Sequence, residues 1–182
     1  MLWASLGATV VLAALFAVIV SAQPSSEVQA NSPLLGQPAP AISGTGLSGG
    51  HFSIGQFKSE WVLVNFMATW CDACRQEMPQ LLEFSQEHQV GQHQEAGGSA
   101  VILTVAYDPT NVAQLRKYLA ENGASWPAVN DPSASVAYGV QALPSSFLVA
   151  PGGTVVVYIE GQVKASDLDN WMRQATAKGL AS

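Results

Sequence analysis

Cys71 and Cys74 are the only cysteines in the chain, and two residues separate them. Thiols at this spacing can close a small disulfide ring when they occupy the first turn of a helix. The first sulfur then lies at the helix N-terminus, where free backbone N–H groups and the macrodipole favour an anion. Its pKa falls, which makes Cys71 a thiolate nucleophile near neutral pH. Cys74, one turn further in, is more buried and stays a thiol until needed. The expected chemistry is thiol–disulfide exchange. Cys71 attacks a substrate disulfide, and Cys74 resolves the mixed disulfide and releases the reduced product. The redox-active disulfide Cys71–Cys74 is the working group, and no cofactor is expected.

Two other readings use the same residues. Cys71-x2-Cys74, thirteen residues, then His88-x4-His93 comes near the spacing of a zinc finger. A metal-binding module would use Cys71 and Cys74 with His88. Against it, an unbroken apolar strand leads into the cysteines, and a helix from Cys71 to about Glu87 carries the histidines roughly 20 Å away. A purely structural disulfide closes so short a loop that it constrains the unfolded chain little. No metal is expected.

The flanking elements suit a redox motif. Trp61-Val-Leu-Val-Asn-Phe66 and Ala100-Val-Ile-Leu-Thr-Val-Ala-Tyr107 are near-continuous apolar runs, as in central strands covered on both faces. Between them Met78, Leu81, Leu82 and Ser85 recur at helical spacing, with Arg75, Gln76, Glu83 and Glu87 on the wet side. A second helix is predicted over 111–122, with the stripe Val112, Leu115, Leu119 and a C-capping Gly123. A short helix follows from Pro132 to Gly139. Runs 145–150 and 154–160 flank Pro151-Gly-Gly153 as a β-hairpin. A last helix is predicted to start at Ser166, with Asp169 as its capping partner and Leu168, Trp171, Met172 and Ala175 buried. Leaving the short helix aside, the order β-α-β-α-β-β-α predicts an α/β fold: a mixed central sheet flanked by helices on both faces.

The 182 residues carry a net charge of −6 and are 48% hydrophobic, enough apolar material for one domain. Disorder is excluded by that content. A nucleic-acid partner is excluded by the lack of any basic run. Residues 2–22 are free of charge and, as a helix, would span about 30 Å. Residues 1–22 are therefore expected to be a single-pass membrane anchor, with a cleaved signal peptide as the alternative. Residues 23–40, rich in Ser, Pro, Gln and Asn, are expected to be a flexible linker. The folded domain is expected over 41–182.

The run from Trp61 through Thr69-Trp-Cys-Asp-Ala-Cys74 to Met78-Pro79 resembles the signature of the TlpA/ResA branch of the thioredoxin-like proteins, which are bacterial, extracytoplasmic and often membrane-tethered. The likeness extends from about Leu34 to Ala177. It implies a thioredoxin-like fold and thiol–disulfide exchange, commonly reductive, on a protein disulfide, in several relatives an apocytochrome c haem-binding motif. Electrons would come from an integral-membrane thiol carrier, with the catalytic domain on the extracytoplasmic side of the bacterial cell membrane. Ala142-Leu-Pro-Ser-Ser-Phe-Leu148 resembles the family's cis-proline loop. Pro144 is thereby expected to be cis beside the thiols, leaving the backbone before it free to pair with substrate. Glu77 matches the family's acid and would exchange protons with Cys74; the alternative is a solvated helix face. Asn65 stands where thioredoxin has a buried Asp. Leu143 is expected to contact substrate, and Trp70 either to do so or to serve as hydrophobic cover for the first turn of the helix.

The chain departs from that pattern at Ala73, commonly Pro, and at Asp72. A carboxylate beside Cys71 opposes its ionisation. Met67 is expected as core packing. A thiol peroxidase of the peroxiredoxin-like group is the enzyme alternative. It would need Thr or Ser three residues before the reactive Cys, where this chain has Ala68.

Overall fold

The computed structural model describes residues 28–88 and 98–180. The expected anchor, residues 1–22, and His93 lie outside these residues. Among the described residues no helix is long and apolar enough to cross a membrane.

One strand organises the molecule. β4 (Trp61–Met67) is buried at every position, so its alternating side chains feed two separate layers. Trp61, Leu63 and Met67 point into one, together with Met78, Leu81 and Phe84 of α1 (Asp72–Glu87) and Leu168 and Met172 of α4 (Ala165–Ala177). Leu115 and Leu119 of α2 (Val112–Glu121) join the same layer. Val62, Val64 and Phe66 point into the other layer, with Ala134 and Tyr138 from α3 (Pro132–Ala137) and its C-terminal end. Met67 is core, as expected from its neighbours.

β4 pairs in parallel with β5 (Ala100–Ala106), and β5 pairs in parallel with β6 (Ala128–Asn130). On its other side β4 runs antiparallel to β7 (Ser145–Val149), which pairs with β8 (Val155–Glu160) in the expected hairpin. With β1 (Val28–Gln29), β2 (Ser43–Gly46) and β3 (His51–Ser53), the sheet has eight strands in the order β1-β8-β7-β4-β5-β6-β2-β3. This is the mixed sheet with helices on both faces. β1, β2, β3 and β6 are additions to the predicted order. They are short, and two to four residues carry no readable period.

The flexible linker expected over 23–40 is corrected by the structure over its described part. Residues 28–40 dock along the hairpin and Leu34, Leu35 and Ala39 pack on the second layer. Gly36 donates to the carbonyl of Val155 at 2.8 Å, Val155 to that of Gln37 at 2.9 Å and Ala39 to that of Gly153 at 2.8 Å. These bonds and β1 cover β8, which would otherwise present an open sheet edge. The folded unit therefore begins before Ala41. A backbone-mediated dock leaves no hydrophobic period, which is why composition alone read it as a tether.

α4 also differs at its start. Lys164 is the N-cap and Ser166 lies inside the helix. The amide of Ala165 donates instead to Gln80 Oε1 of α1 at 3.1 Å, and Asp169 Oδ1 pairs with His88 Nε2 at 2.7 Å. Gly123 follows α2 with φ of 78°, the left-handed cap its sequence position predicts.

A chain beginning at Ala41 should lose about 2–4 kcal/mol of stability, seen as a Tm lower by about 5–15 °C in a thermal melt. An unchanged Tm would return residues 28–40 to the status of a tether.

Candidate active site

Cys71 is the N-cap of α1, a place usually held by Ser, Thr, Asp or Asn. Its Sγ accepts from the amide of Cys74 at 3.1 Å. The same donor would serve a thiolate after reduction, reinforced by the helix dipole. In this structure Cys71 and Cys74 are joined as a disulfide. Cys71 is 6% exposed and Cys74 is fully buried, so only the first sulfur faces the surface.

His88 caps the far end of the 16-residue helix, about 24 Å along the axis from the thiols. The metal-module alternative on Cys71, Cys74 and His88 is thereby corrected: one rigid rod holds the expected ligands apart, and the two sulfurs are bonded to each other.

Glu77 lies on the same face of α1 as Cys74, one turn further along. It is 1% exposed, not on a solvated face. Its Oε1 accepts from Asn65 Nδ2 at 2.9 Å and its Oε2 from the amide of Val163 at 3.2 Å. Asn65 Nδ2 also donates to Ser146 Oγ at 3.0 Å. Burial pushes the Glu77 carboxyl up from 4.5 to about 7, against the two hydrogen bonds, which lower it. Asn65 cannot titrate, so the acid in this layer beneath the disulfide is Glu77.

The Leu143–Pro144 bond is cis. β7 begins one residue later, and its register with β4 pairs Ser145 with Phe66 and Ser146 with Asn65. That pairing sets the proline loop beside the head of α1. The loop is tied down twice: Ser145 Oγ donates to the Ala142 carbonyl at 2.8 Å, and the amide of Gly161 donates to the Pro144 carbonyl at 2.9 Å. Pro144 itself is buried.

An open groove crosses the surface above Cys71, lined by Trp70, Cys71, Ala73, Tyr107, Ala142 and Leu143. Trp70 is 58% exposed and stands as a wall of this groove rather than a cover. Leu143, half-buried, belongs to the same lining. The structure thus brings Trp70, Cys71 and Leu143 into one groove, sets Pro144 at its edge and puts Cys74 and Glu77 below. Asp72 is drawn to Arg75 in an ion pair, which compensates the carboxylate next to Cys71.

Several neighbours were not singled out from sequence. The Val163 amide completes the shell of Glu77, and Ser146 Oγ accepts from its partner Asn65. Gln162 Nε2 donates to the Ala73 carbonyl at 3.2 Å and to Gln76 Oε1 at 3.1 Å, clamping the first turn of α1 to the segment after β8. Asn65 and Ser146 did leave a signal: polar residues in apolar runs buried on both faces must find partners. Gln162 and Val163 left none.

The chain matches the AhpC/TSA family over residues 35–158. The thiol-disulfide oxidoreductase ResA of Bacillus thuringiensis subsp. konkukian is 28% identical over 144 residues, covering 78% of this chain and 79% of its own. ResA of Bacillus subtilis is 28% identical over 140 residues, covering 75% and 73%. Among solved structures, the thioredoxin domain of a thiol-disulfide oxidoreductase from Bacteroides vulgatus superposes with a TM-score of 0.61 at 26% identity, covering 83% of this chain and 100% of that one. A thiol:disulfide interchange protein from Bacteroides sp. gives 0.62 at 27% identity, covering 77% and 88%. With its helix-capping Cys pair and thioredoxin-like architecture, the chain belongs to the AhpC/TSA family and is a thiol–disulfide oxidoreductase similar to ResA.

Proposed function

We propose that the protein reduces protein disulfides outside the cytoplasm, held at the membrane by its apolar N-terminal segment and recharged by an integral-membrane dithiol carrier. The observation that carries the reductive exchange is the asymmetry of the two sulfurs: one at a groove and a helix N-terminus, the other sealed above a buried acid. The tether and the extracytoplasmic side are supported by the charge-free stretch of residues 2–22. The substrate class is an exposed protein disulfide. The cysteine pair of an apocytochrome c haem-binding motif belongs to that class and is the target suggested by the family resemblance.

The reduced protein starts with a Cys71 thiolate and a Cys74 thiol. Cys71 Sγ bonds to one substrate sulfur, the substrate S–S bond breaks, and the departing thiolate takes a proton from water. The Cys74 proton passes to the Glu77 carboxylate, whose pKa near 7 suits a group that must both take and return it. Cys74 Sγ then attacks Cys71 Sγ. The mixed disulfide breaks, the second substrate sulfur leaves as a thiolate and takes up the proton returned by Glu77, and the Cys71–Cys74 disulfide seen here remains. Two electrons have moved to the substrate, and a dithiol donor restores them. Pro144, with no amide proton, withholds a hydrogen bond from the sulfurs, and Trp70 and Leu143 flank the incoming segment. The peroxidase alternative lacks its hydroxyl, because Ala68 stands three residues before Cys71.

Trapping tests the assignment. Cys74→Ser should hold a stable mixed disulfide through Cys71, identifiable by mass spectrometry, whereas Cys71→Ser should trap nothing. The opposite pattern would reverse the two roles.

Glu77→Gln should slow release of the second substrate thiol about a hundredfold. It also has a thermodynamic signature. The folded pKa is raised, so the stability linked to this proton is complete below about pH 4.5 and is lost as pH rises through about 7. The stability of Glu77→Gln relative to the parent should therefore increase by about 2–3 kcal/mol from pH 4.5 to pH 8 in denaturant titrations. A flat difference would remove Glu77 as a buried, titrating acid.

A further inference from the structure

Trp70 is exposed yet held in place. Its ring meets Tyr107 edge-on, with centroids 6.4 Å apart and planes at 76°. Its indole N–H donates to Asp108 Oδ2 at 3.3 Å. A large aromatic that is fixed without being buried has little conformational freedom left to lose on binding.

The strut is a charge. Asp108 Oδ1 accepts from the Thr110 amide at 2.9 Å and from Thr110 Oγ1 at 2.6 Å, and its Oδ2 also accepts from Asn111 Nδ2 at 2.6 Å. Every one of these donors is neutral. They hold the carboxyl down at about 2, so it is ionised at working pH. No ion pair among the described residues includes Asp108. The carboxylate that lines the groove itself, Asp72, is already matched by Arg75, which also donates to the Thr69 carbonyl. A neutral acceptor would hold the indole equally well. An anion does more: it polarises the N–H, enriches the ring face in electron density and adds a countercharge beside it. Both effects favour a cation over the ring.

We propose that Trp70 and Asp108 form a subsite for a lysine or arginine flanking the substrate cysteine, the indole face taking the alkyl stem and charge and Asp108 acting as counterion. The inference rests on the exchange reading of Cys71 and narrows its substrate class to disulfides with a basic neighbour. Gln141, Ala142 and Leu143, in the same lining, carry no charge to compete for such a cation.

The test uses the reduced protein and three disulfide-linked peptides identical but for Lys, Ala or Glu beside the reacting cysteine. Second-order rate constants are measured at about 0.02 M and about 0.5 M salt. The expected order is Lys, Ala, Glu, with a Lys-to-Glu ratio of roughly tenfold at low salt that shrinks at high salt. Asp108→Asn should cut that ratio at least about threefold. Glu121→Gln on α2 removes one charge elsewhere and should leave it unchanged. If Glu121→Gln lowers the ratio as much as Asp108→Asn, the overall negative charge is the cause and the subsite is overturned. A uniform fall on all three peptides in Asp108→Asn would assign the residue a structural role and likewise overturn it. Equal rates for the three peptides with the parent protein sink the subsite while leaving exchange at Cys71 intact. No reaction with any peptide sinks the exchange reading itself.

Discussion

β4 leaves the sheet at Met67 and β7 enters it at Ser145, and their antiparallel register places Asn65 directly beside Ser146. That one pairing decides where the chemistry sits. The chain beyond β4 turns into α1 and delivers Cys71, while the chain before β7 delivers Pro144 in its cis form. A slip of β4 by one residue would turn Asn65 to the opposite layer and leave Glu77 without its partner. The apolar alternation of β4, with Leu63 and Met67 on one side and Val64 and Phe66 on the other, is what forbids the slip.

The buried carboxyl of Glu77 makes sense only within this frame. An ionised carboxylate taken out of water is costly unless hydrogen bonds replace its hydration. Asn65 and the Val163 amide replace part of it, and the balance leaves the group near neutrality. A stronger shell would fix the anion and a weaker one the acid. Neither would exchange a proton readily with a neighbouring thiol.

The segment after β8 holds these parts together. Gly161 reaches the Pro144 carbonyl, Gln162 the Ala73 carbonyl and Gln76, Val163 the Glu77 carboxyl, and Ala165 the side chain of Gln80. Residues 161–165 thus join the proline loop to four positions along one face of α1. Gly161 turns with φ of 111°, a conformation that a side chain would strain.

Much of this was legible in the residues alone. Two cysteines at helical spacing after an apolar strand specify a capped, asymmetric thiol pair, because strand, cap and helix are local and their periods are written in sequence. The long runs of β4 and β5, the stripes of α1, α2 and α4 and the Pro151-Gly-Gly153 hairpin are legible for the same reason. Tertiary structure decided what depends on pairs distant along the chain: the docking of residues 28–40 on β8, the diversion of Asp169 from a helix cap to His88, the shell around Glu77 and the strut from Asp108 to Trp70. Each is a hydrogen bond between segments that sequence spacing cannot bring together. Only the closed sheet and the helices packed on it fix those distances.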